Sequence, residues 1–348
     1  MRRLGMNVNN IAFSNWYDAN RAKYEYFGNS IEAILRRGIE DENLIIHSLN
    51  SRVKDKDSFL KKCARKKYSD PSSQMTDFVG LRVITYTTAD VERACKIVDK
   101  LFEIDTSNSQ NKADILGADR VGYLSHHFIV SLGSERDKLP EYSGLCNLKA
   151  EIQVRTILQH AWAEIEHDRE YKFSGQLPDA IYRRFHLAAG NLEMIDIEFQ
   201  RLSDEIDAYK ESVKQSIETG NLKEIRINTV SLIEFLDNYF EEIASERSLD
   251  DDQEIIRELL KFGINTIEDI GSLLTPDLLS YILSYYNNQR EEAETSYTFL
   301  LRSIMIMTDA EKYFKNAWQS KSWSYETNAT LDFWSKYGVD KELILIPN

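Results

Sequence analysis

The sequence predicts an α+β domain built on a mixed β-sheet, followed by an all-α domain. Three observations carry this expectation. Residues 1–180 alternate strand-like runs with helical spacing, residues beyond about 180 show helical spacing only, and the charge divides at the same place. Residues 1–180 hold 26 Lys and Arg against 26 Asp and Glu, whereas the remainder holds 17 against 31 and so carries the whole formal charge of −14. At 348 residues and 42% apolar content the chain is long enough for two domains with real cores. The boundary is expected in the Gly- and Pro-containing stretch Phe173–Asp179, giving domains 1–175 and 176–348.

In the first domain, helical patterns run through about Asn9–Phe27 and Asn29–Arg37, ahead of a strand-like stretch around Leu44–Val53. Ser58 is placed to cap a helix reaching about Tyr68, which the cluster Ser69–Ser73 ends. Val79–Tyr86 reads as a buried strand rich in β-branched residues. Asp90 is placed to cap the next helix, whose apolar face is Val91, Ala94, Cys95, Val98, Leu101 and Phe102. A strand at Tyr123–Ser131 follows, then a turn region, then a strand from Glu151. There Ile152 and Val154 alternate with Glu151, Gln153 and Arg155, so a carboxylate, an amide and a guanidinium share one face. Thr156 and Gln159 form a capping box that starts a helix directly after this strand.

The second domain opens with Ile181, Phe185, Ala188, Leu192, Ile195, Phe199, Leu202, Ile206, Tyr209 and Val213, spaced alternately by four and three. That rhythm predicts one long helix with an apolar seam, packed on another helix or on a partner chain. Helical spacing recurs at about Ser231–Ser245, Asp252–Phe262, Thr266–Leu274, Asp277–Asn288 and Glu291–Trp318.

Several function classes are disfavoured. The basic start, Met1–Asn7, has no apolar run behind it, and the longest oily stretch, Phe299–Met307, is interrupted by Arg302, so neither a signal peptide nor a membrane span is expected. Cys63, Cys95 and Cys146 lie far apart without a Cys-x-x-Cys pair, which disfavours a disulfide framework or a structural zinc and suits the cytoplasm. An acidic second half repels phosphate polymers, whereas Lys61, Lys62, Arg65, Lys66 and Lys67 concentrate positive charge in the first. Phosphate-bearing ligands are expected there.

Four polar patches exceed what a fold alone requires. Arg52 and Lys54, with Ser58 and Lys62 on the helix behind them, suit a polyphosphate. Asp77 precedes Gly80 and Arg82; its odd spacing from Arg82 demands that it lie at the start of the strand or at a bend. Tyr123, Ser125 and His127 share a face, with an aromatic ring able to stack on a base. Glu151, Gln153 and Arg155 make the fourth. Asp77 and Glu151 together would supply the two carboxylates that a magnesium–triphosphate complex needs.

Taken in order, Arg52-x-Lys54-x-x-x-Ser58-x-x-x-Lys62, Asp77-x-x-Gly80-x-Arg82, Gly122-Tyr123-x-Ser125-x-His127, Glu151-x-Gln153-x-Arg155-Thr156 and Glu166-His167-Asp168 with Tyr171-Lys172 resemble the synthetase domain of the RelA/SpoT family of alarmone synthetases. The resemblance covers about residues 40–175. It implies a nucleotidyltransferase-like fold, and transfer of the β,γ-pyrophosphate of ATP, with Mg²⁺, to a ribose 3′-hydroxyl of GDP or GTP with AMP leaving. By resemblance, Arg52 and Arg82 would grip ATP, and Lys54, Ser58 and Lys62 would neutralise its triphosphate. Asp77 would hold Mg²⁺, and Glu151 would assist the metal or act as general base. Tyr123 would stack on the acceptor base, while His127, Gln153 and Arg155 would order the acceptor or the developing charge. His160 and His167 are left open between ordering their helix and touching substrate. No hydrolase domain is expected ahead of this one, because residues 1–40 are too short.

The chain departs from the family pattern before Tyr123. Relatives usually carry a basic Pro-Lys-Asn-like stretch there, whereas residues 111–121 balance Lys112 and Arg120 with Asp114 and Asp119. Three acceptors therefore stay open: a guanine nucleotide, an adenine nucleotide and the tRNA 3′ end. The acidic second half offers no phosphate-tracking surface in bulk, which favours the guanine nucleotide over tRNA. A silent nucleotide-binding module is disfavoured, since two buried carboxylates gain nothing without a metal. For the helical half, binding a regulatory protein and homo-oligomerisation both remain open.

Overall fold

The computed structural model describes residues 8–111, 125–172, 178–243, 249, 252–288, 296–318 and 328–340. Two compact units divide the chain, Met1–Ser203 and Asp204–Asn348.

The first unit begins with α1 (Val8–Asp41), one continuous helix where the sequence spacing suggested two. It passes unbroken through Gly28. A Cβ there would lie 3.1 Å from Ser51 Oγ and from Val79 Cγ1, so the bare backbone lets α1 lie close on the sheet. Tyr24, Phe27, Ile31 and Leu35 enter the core from this helix. The sheet comprises β1 (Ser48–Val53), β2 (Val79–Thr85), β3 (Glu103–Ile104), β4 (Gln110–Asn111), β5 (His126–Ser131) and β6 (Ala150–Thr156). Its order is β1-β2-β6-β5-β3, with β4 also on β5. Among the described strands only β2 and β6 pair in parallel. Leu81, Val83, Ile152 and Val154 face the core with α1 and with α4 (Thr88–Leu101).

Two helix starts differ from the sequence reading. Helix α2 (Lys56–Lys66) is capped by Asp55, whose carboxylate accepts from the Ser58 N–H at 2.9 Å; Ser58 lies inside the first turn. Helix α4 is capped by Thr87, with Asp90 three residues on. Its carboxylate accepts from the Thr87 hydroxyl at 2.9 Å. In both cases an earlier oxygen-bearing side chain reaches the N–H three residues ahead, and the later polar residue is absorbed into the turn. A four-residue helix, α3 (Pro71–Gln74), lies between α2 and β2. The Thr156–Gln159 capping box forms as the sequence predicts, with bonds of 2.9 and 3.1 Å, and begins α5 (Ile157–Lys172).

Helix α6 (Asp179–Glu218) is the long helix the heptad rhythm predicts. Within the first unit, Asp196 accepts from the Thr156 hydroxyl at 2.7 Å, and Gln200 accepts from Ala89 N–H at 2.7 Å. These bonds, together with the seam residue Phe185 packed on Trp162 of α5 at 4.4 Å between ring centroids, fasten it to the sheet unit. Ile195, Phe199 and Leu202 are 43–48% exposed, whereas Val213, in the second unit, is 2% exposed. Phe199→Asp is accordingly expected to change folding stability by no more than about 0.5 kcal/mol, as at ordinary surface sites, and Val213→Asp by several times that. Denaturant melts of the two variants check the contrast.

The second unit is helical: α7 (Thr229–Phe240), α8 (Asp252–Phe262), α9 (Ile267–Leu273), α10 (Pro276–Asn288), α11 (Tyr297–Thr308), α12 (Ala310–Lys312) and α13 (Asn328–Lys336). Its core gathers Phe235, Ile282, Tyr297, Ile304 and Trp334. The helical run expected through Trp318 is broken at Asp309, whose side chain caps α12, and ends in a π-turn at Tyr313–Ala317. Among the described residues, no helix is long and apolar enough to cross a membrane.

Candidate active site

Sheet register builds the site. Arg52 on β1, Gly80 on β2 and Glu151 on β6 lie in one row across three strands. The next row is Asn50, Arg82 and Gln153, continued by His127 on β5. Registered residues of neighbouring strands point to the same face, so four patches separated in sequence converge on the side of the sheet opposite its core. A cavity of about 230 Å³ opens there, lined by Asn50, Ser51, Arg52, Lys54, Asp77, Gly80, Leu81, Arg82, Glu151 and Gln153. A Cβ built on Gly80 meets nothing within 4 Å, so a larger residue would project into open space beside the cavity lining.

Asp77 lies just before β2, at the strand start that its spacing from Arg82 demanded. Its Oδ2 takes Lys62 Nζ at 2.5 Å and Lys54 Nζ at 3.2 Å. Its Oδ1 is buried and accepts no hydrogen bond. Glu151 is held from both sides: Oε1 by His127 Nδ1 at 2.8 Å, Oε2 by Gln153 Nε2 at 3.0 Å. Gln153 in turn accepts from Arg155 Nη2. Burial alone would push the Glu151 carboxyl up, but the hydrogen bond and charge of His127, with Gln153 and Lys62, outweigh it and hold it below the usual value. A carboxyl lowered on folding stabilises the fold above its unfolded value of about 4.3, and that contribution fades as pH falls through the folded value. Glu151 is therefore ionised at neutral pH.

Positive charge is crowded on the same face. Arg155 is 4% exposed and is pulled down to about 10, first by burial and then by the guanidinium groups of Arg82 and Arg52. Its Nε has no hydrogen-bond partner. Arg82 is offset by Glu164 of α5 at 2.8 Å. Burial, then the charge of Arg155, lowers the His160 imidazole. Such a cluster is relieved by an anion.

Of the expected site residues, Arg52, Lys54, Asp77, Arg82, Glu151 and Gln153 line the cavity, and Lys62, His127 and Arg155 reach it through their bonds to these. Ser58 is exposed on the first turn of α2 and does not line the cavity. Tyr123, and the stretch 112–121, lie outside the described residues, as does the side chain of His167. Sequence reasoning missed Asn50, whose period-two spacing from Arg52 was the available signal, and the pairing of Glu164 with Arg82.

Residues 51–176 match the family model described as the region found in RelA / SpoT proteins. The chain carries a RelA/SpoT domain. GTP pyrophosphokinase YjbM of Bacillus subtilis (strain 168) is 29% identical over 171 residues, 48% of this chain and 76% of the relative. GTP pyrophosphokinase YwaC of the same organism is 27% identical over 180 residues, 49% of this chain and 82% of the relative. Among solved structures, small alarmone synthetase 1 from Bacillus subtilis bound to its product pppGpp aligns at 25% identity and a TM-score of 0.44, covering 56% of this chain and 98% of that one. A GTP pyrophosphokinase family protein from Streptococcus pneumoniae aligns at 26% identity and a TM-score of 0.45, covering 59% and 97%.

The RelA/SpoT domain fits a divalent cation. Asp77, whose Oδ1 is buried without a hydrogen bond, lines the same cavity as Glu151. Among the described residues no group of three or more His, Cys, Asp or Glu side chains gathers as a metal site. Two carboxylates at most would come from this face, which suits Mg²⁺ shared with phosphate oxygens better than a zinc held by protein alone.

Proposed function

We propose that the RelA/SpoT domain transfers the β,γ-pyrophosphate of ATP to the ribose 3′-hydroxyl of GDP or GTP, releasing AMP and making a (p)ppGpp-type alarmone. One observation carries the reading: a single sheet face brings Asp77, Glu151 and the cations Arg52, Lys54 and Arg82 around one cavity. Both sequence relatives are named GTP pyrophosphokinases, which supports the same acceptor class.

Arg52, Arg82 and Lys54 bind and straighten the triphosphate, and Lys62 adds charge behind Asp77. Mg²⁺ held by Asp77, with Glu151 beside it, would draw charge from the phosphoryl oxygens. Glu151, ionised and fixed by His127 and Gln153, takes the proton of the attacking 3′-hydroxyl. A new O3′–Pβ bond forms as the bond from Pβ to the bridging oxygen breaks, and AMP leaves with that oxygen. Gln153 and Arg155 hold the acceptor side, and Tyr123 is assigned the base-stacking role. Residues 1–175 would act as the synthetase and residues 176–348 as a regulatory or oligomerising region, in the cytoplasm.

The balanced charge of residues 111–121 favours keeping one second reading, transfer to the tRNA 3′ end. Full-length protein given Mg²⁺ and γ-labelled ATP with GDP, GTP, AMP or bulk tRNA in separate reactions separates the two. Label is expected in GDP or GTP. Label in tRNA alone, or in AMP alone, overturns the guanine acceptor, and label in none overturns the transferase.

A further inference from the structure

We infer that Ser125 is a positioning residue for Glu151, acting through the His127 ring; this rests on the reading of Glu151 as the base of the transfer site. Ser125 is 8% exposed immediately before β5, and its Oγ lies 2.7 Å from His127 Nε2. The opposite ring nitrogen, Nδ1, lies 2.8 Å from Glu151 Oε1. An ionised carboxylate only accepts hydrogen bonds, so Nδ1 carries the proton. In the neutral ring Nε2 is then an acceptor, and the Ser125 hydroxyl donates to it. Glu151 and Ser125, one on each ring nitrogen, together hold the imidazole in its Nδ1–H form, the minor tautomer of free histidine.

The consequence reaches the carboxylate. Glu151 has one fixed donor on each oxygen, His127 on Oε1 and Gln153 on Oε2, so its plane is set where it lines the cavity. Without the hydroxyl, Nε2 loses its partner and the ring is free to swing away from Oε1; once free of the carboxylate it returns toward the Nε2–H form. One of the two donors is then lost, and Glu151 rotates about the other. The spacing fits a built relay: β5 and β6 pair antiparallel with His127 opposite Gln153 and Ile129 opposite Glu151, so His127 reaches diagonally to the carboxylate while Ser125 stands two residues before it on the same face. Ser125 itself does not line the cavity.

The test uses the full chain labelled with ¹⁵N at its six histidines. Long-range proton–nitrogen spectra at mildly alkaline pH report the tautomer of His127, with His127→Gln identifying its signals. The wild type is expected in the Nδ1–H form, and Ser125→Ala in the Nε2–H form or a mixture. Ser125→Ala should also lower kcat by about 10- to 100-fold, as loss of an orienting partner does. KM for ATP should stay within about twofold, and Ser125→Thr should restore both tautomer and kcat. An unchanged tautomer and kcat in Ser125→Ala overturn the inference while leaving the proposed reaction standing. A tautomer shift in a protein that transfers to no acceptor keeps the Ser125–His127–Glu151 relay and overturns the reaction instead.

Discussion

Asp77→Asn is expected to remove transfer activity by on the order of 10³-fold or more, because a metal-held phosphoryl charge is worth several kcal/mol in the transition state. Asparagine keeps the shape of the side chain but loses the charge that holds the two lysines, Lys62 and Lys54, and that is proposed to hold the cation. Folding should change little. Asp77 precedes β2 without pairing in the sheet, and its two ion pairs are partly open to solvent, with side-chain exposures of 19–22%. Partly solvated pairs of this kind contribute about 1 kcal/mol or less. Rates measured beside circular dichroism and denaturant melts separate the two effects. A rate within tenfold of wild type would remove Asp77 from the metal assignment.

Arg302→Met is expected to destabilise the helical unit by about 3–5 kcal/mol, the range for stripping one partner from a buried ion pair. Glu258 is 2% exposed. Arg302 meets both of its oxygens, Nε to Oε2 at 3.0 Å and Nη2 to Oε1 at 2.8 Å, and the Tyr313 hydroxyl donates to Oε2 at 2.7 Å. Removing the guanidinium leaves Glu258 in an apolar core with one neutral donor and strips Glu254, whose Oε1 lies 3.4 Å from Nη2, of the same cation. Arg302→Met combined with Glu258→Leu should recover part of the loss, since it removes the more deeply buried carboxylate together with its partner and deprives only the less buried Glu254 of this cation. Denaturant unfolding monitored over residues 204–348 reads the difference. A double variant as unstable as the single one would mean that packing around Arg302, not its charge, is what the unit needs.

The two units were legible in the sequence to different depths, for physical reasons. Strands β2 and β6 declared themselves because one face is core: Leu81, Val83, Ile152 and Val154 alternate with Gly80, Arg82, Glu151 and Gln153. Period two then fixed which polar residues could meet. That β2 and β6 are neighbours, and parallel, lay beyond local pattern, because pairing joins residues about seventy positions apart through no local signal. The family resemblance, not the spacing, grouped the patches ahead of the structure. Helix starts were misplaced by three residues at Ser58 and Asp90 because Asp, Ser and Thr all serve as caps, and two occur within one turn. The seam of α6 set the helix length correctly. Its burial did not follow, since periodicity shows an apolar face without showing what covers it.

At the site, the carboxylates and cations were readable as residue types, but their coupling was not. The pairing of Asp77 with Lys54 and Lys62, the grip of His127 on Glu151, and the Arg82–Glu164 contact all join side chains from separate elements, whereas the Gln153–Glu151 bond links neighbours on one face of β6. Glu151→Gln tests the most constrained of these groups. Its amide keeps a hydrogen bond to His127 but cannot take a proton, so transfer should fall as far as in Asp77→Asn while the fold persists.

The measurement that bears most directly on the central claim is the fate of the ATP remainder. Full-length protein with Mg²⁺, ATP and GTP or GDP should release one AMP for each acceptor that gains two phosphates, as intact mass and nucleotide chromatography would record. Release of ADP with a singly phosphorylated acceptor, or of inorganic pyrophosphate with an adenylylated one, would contradict pyrophosphate transfer at this site.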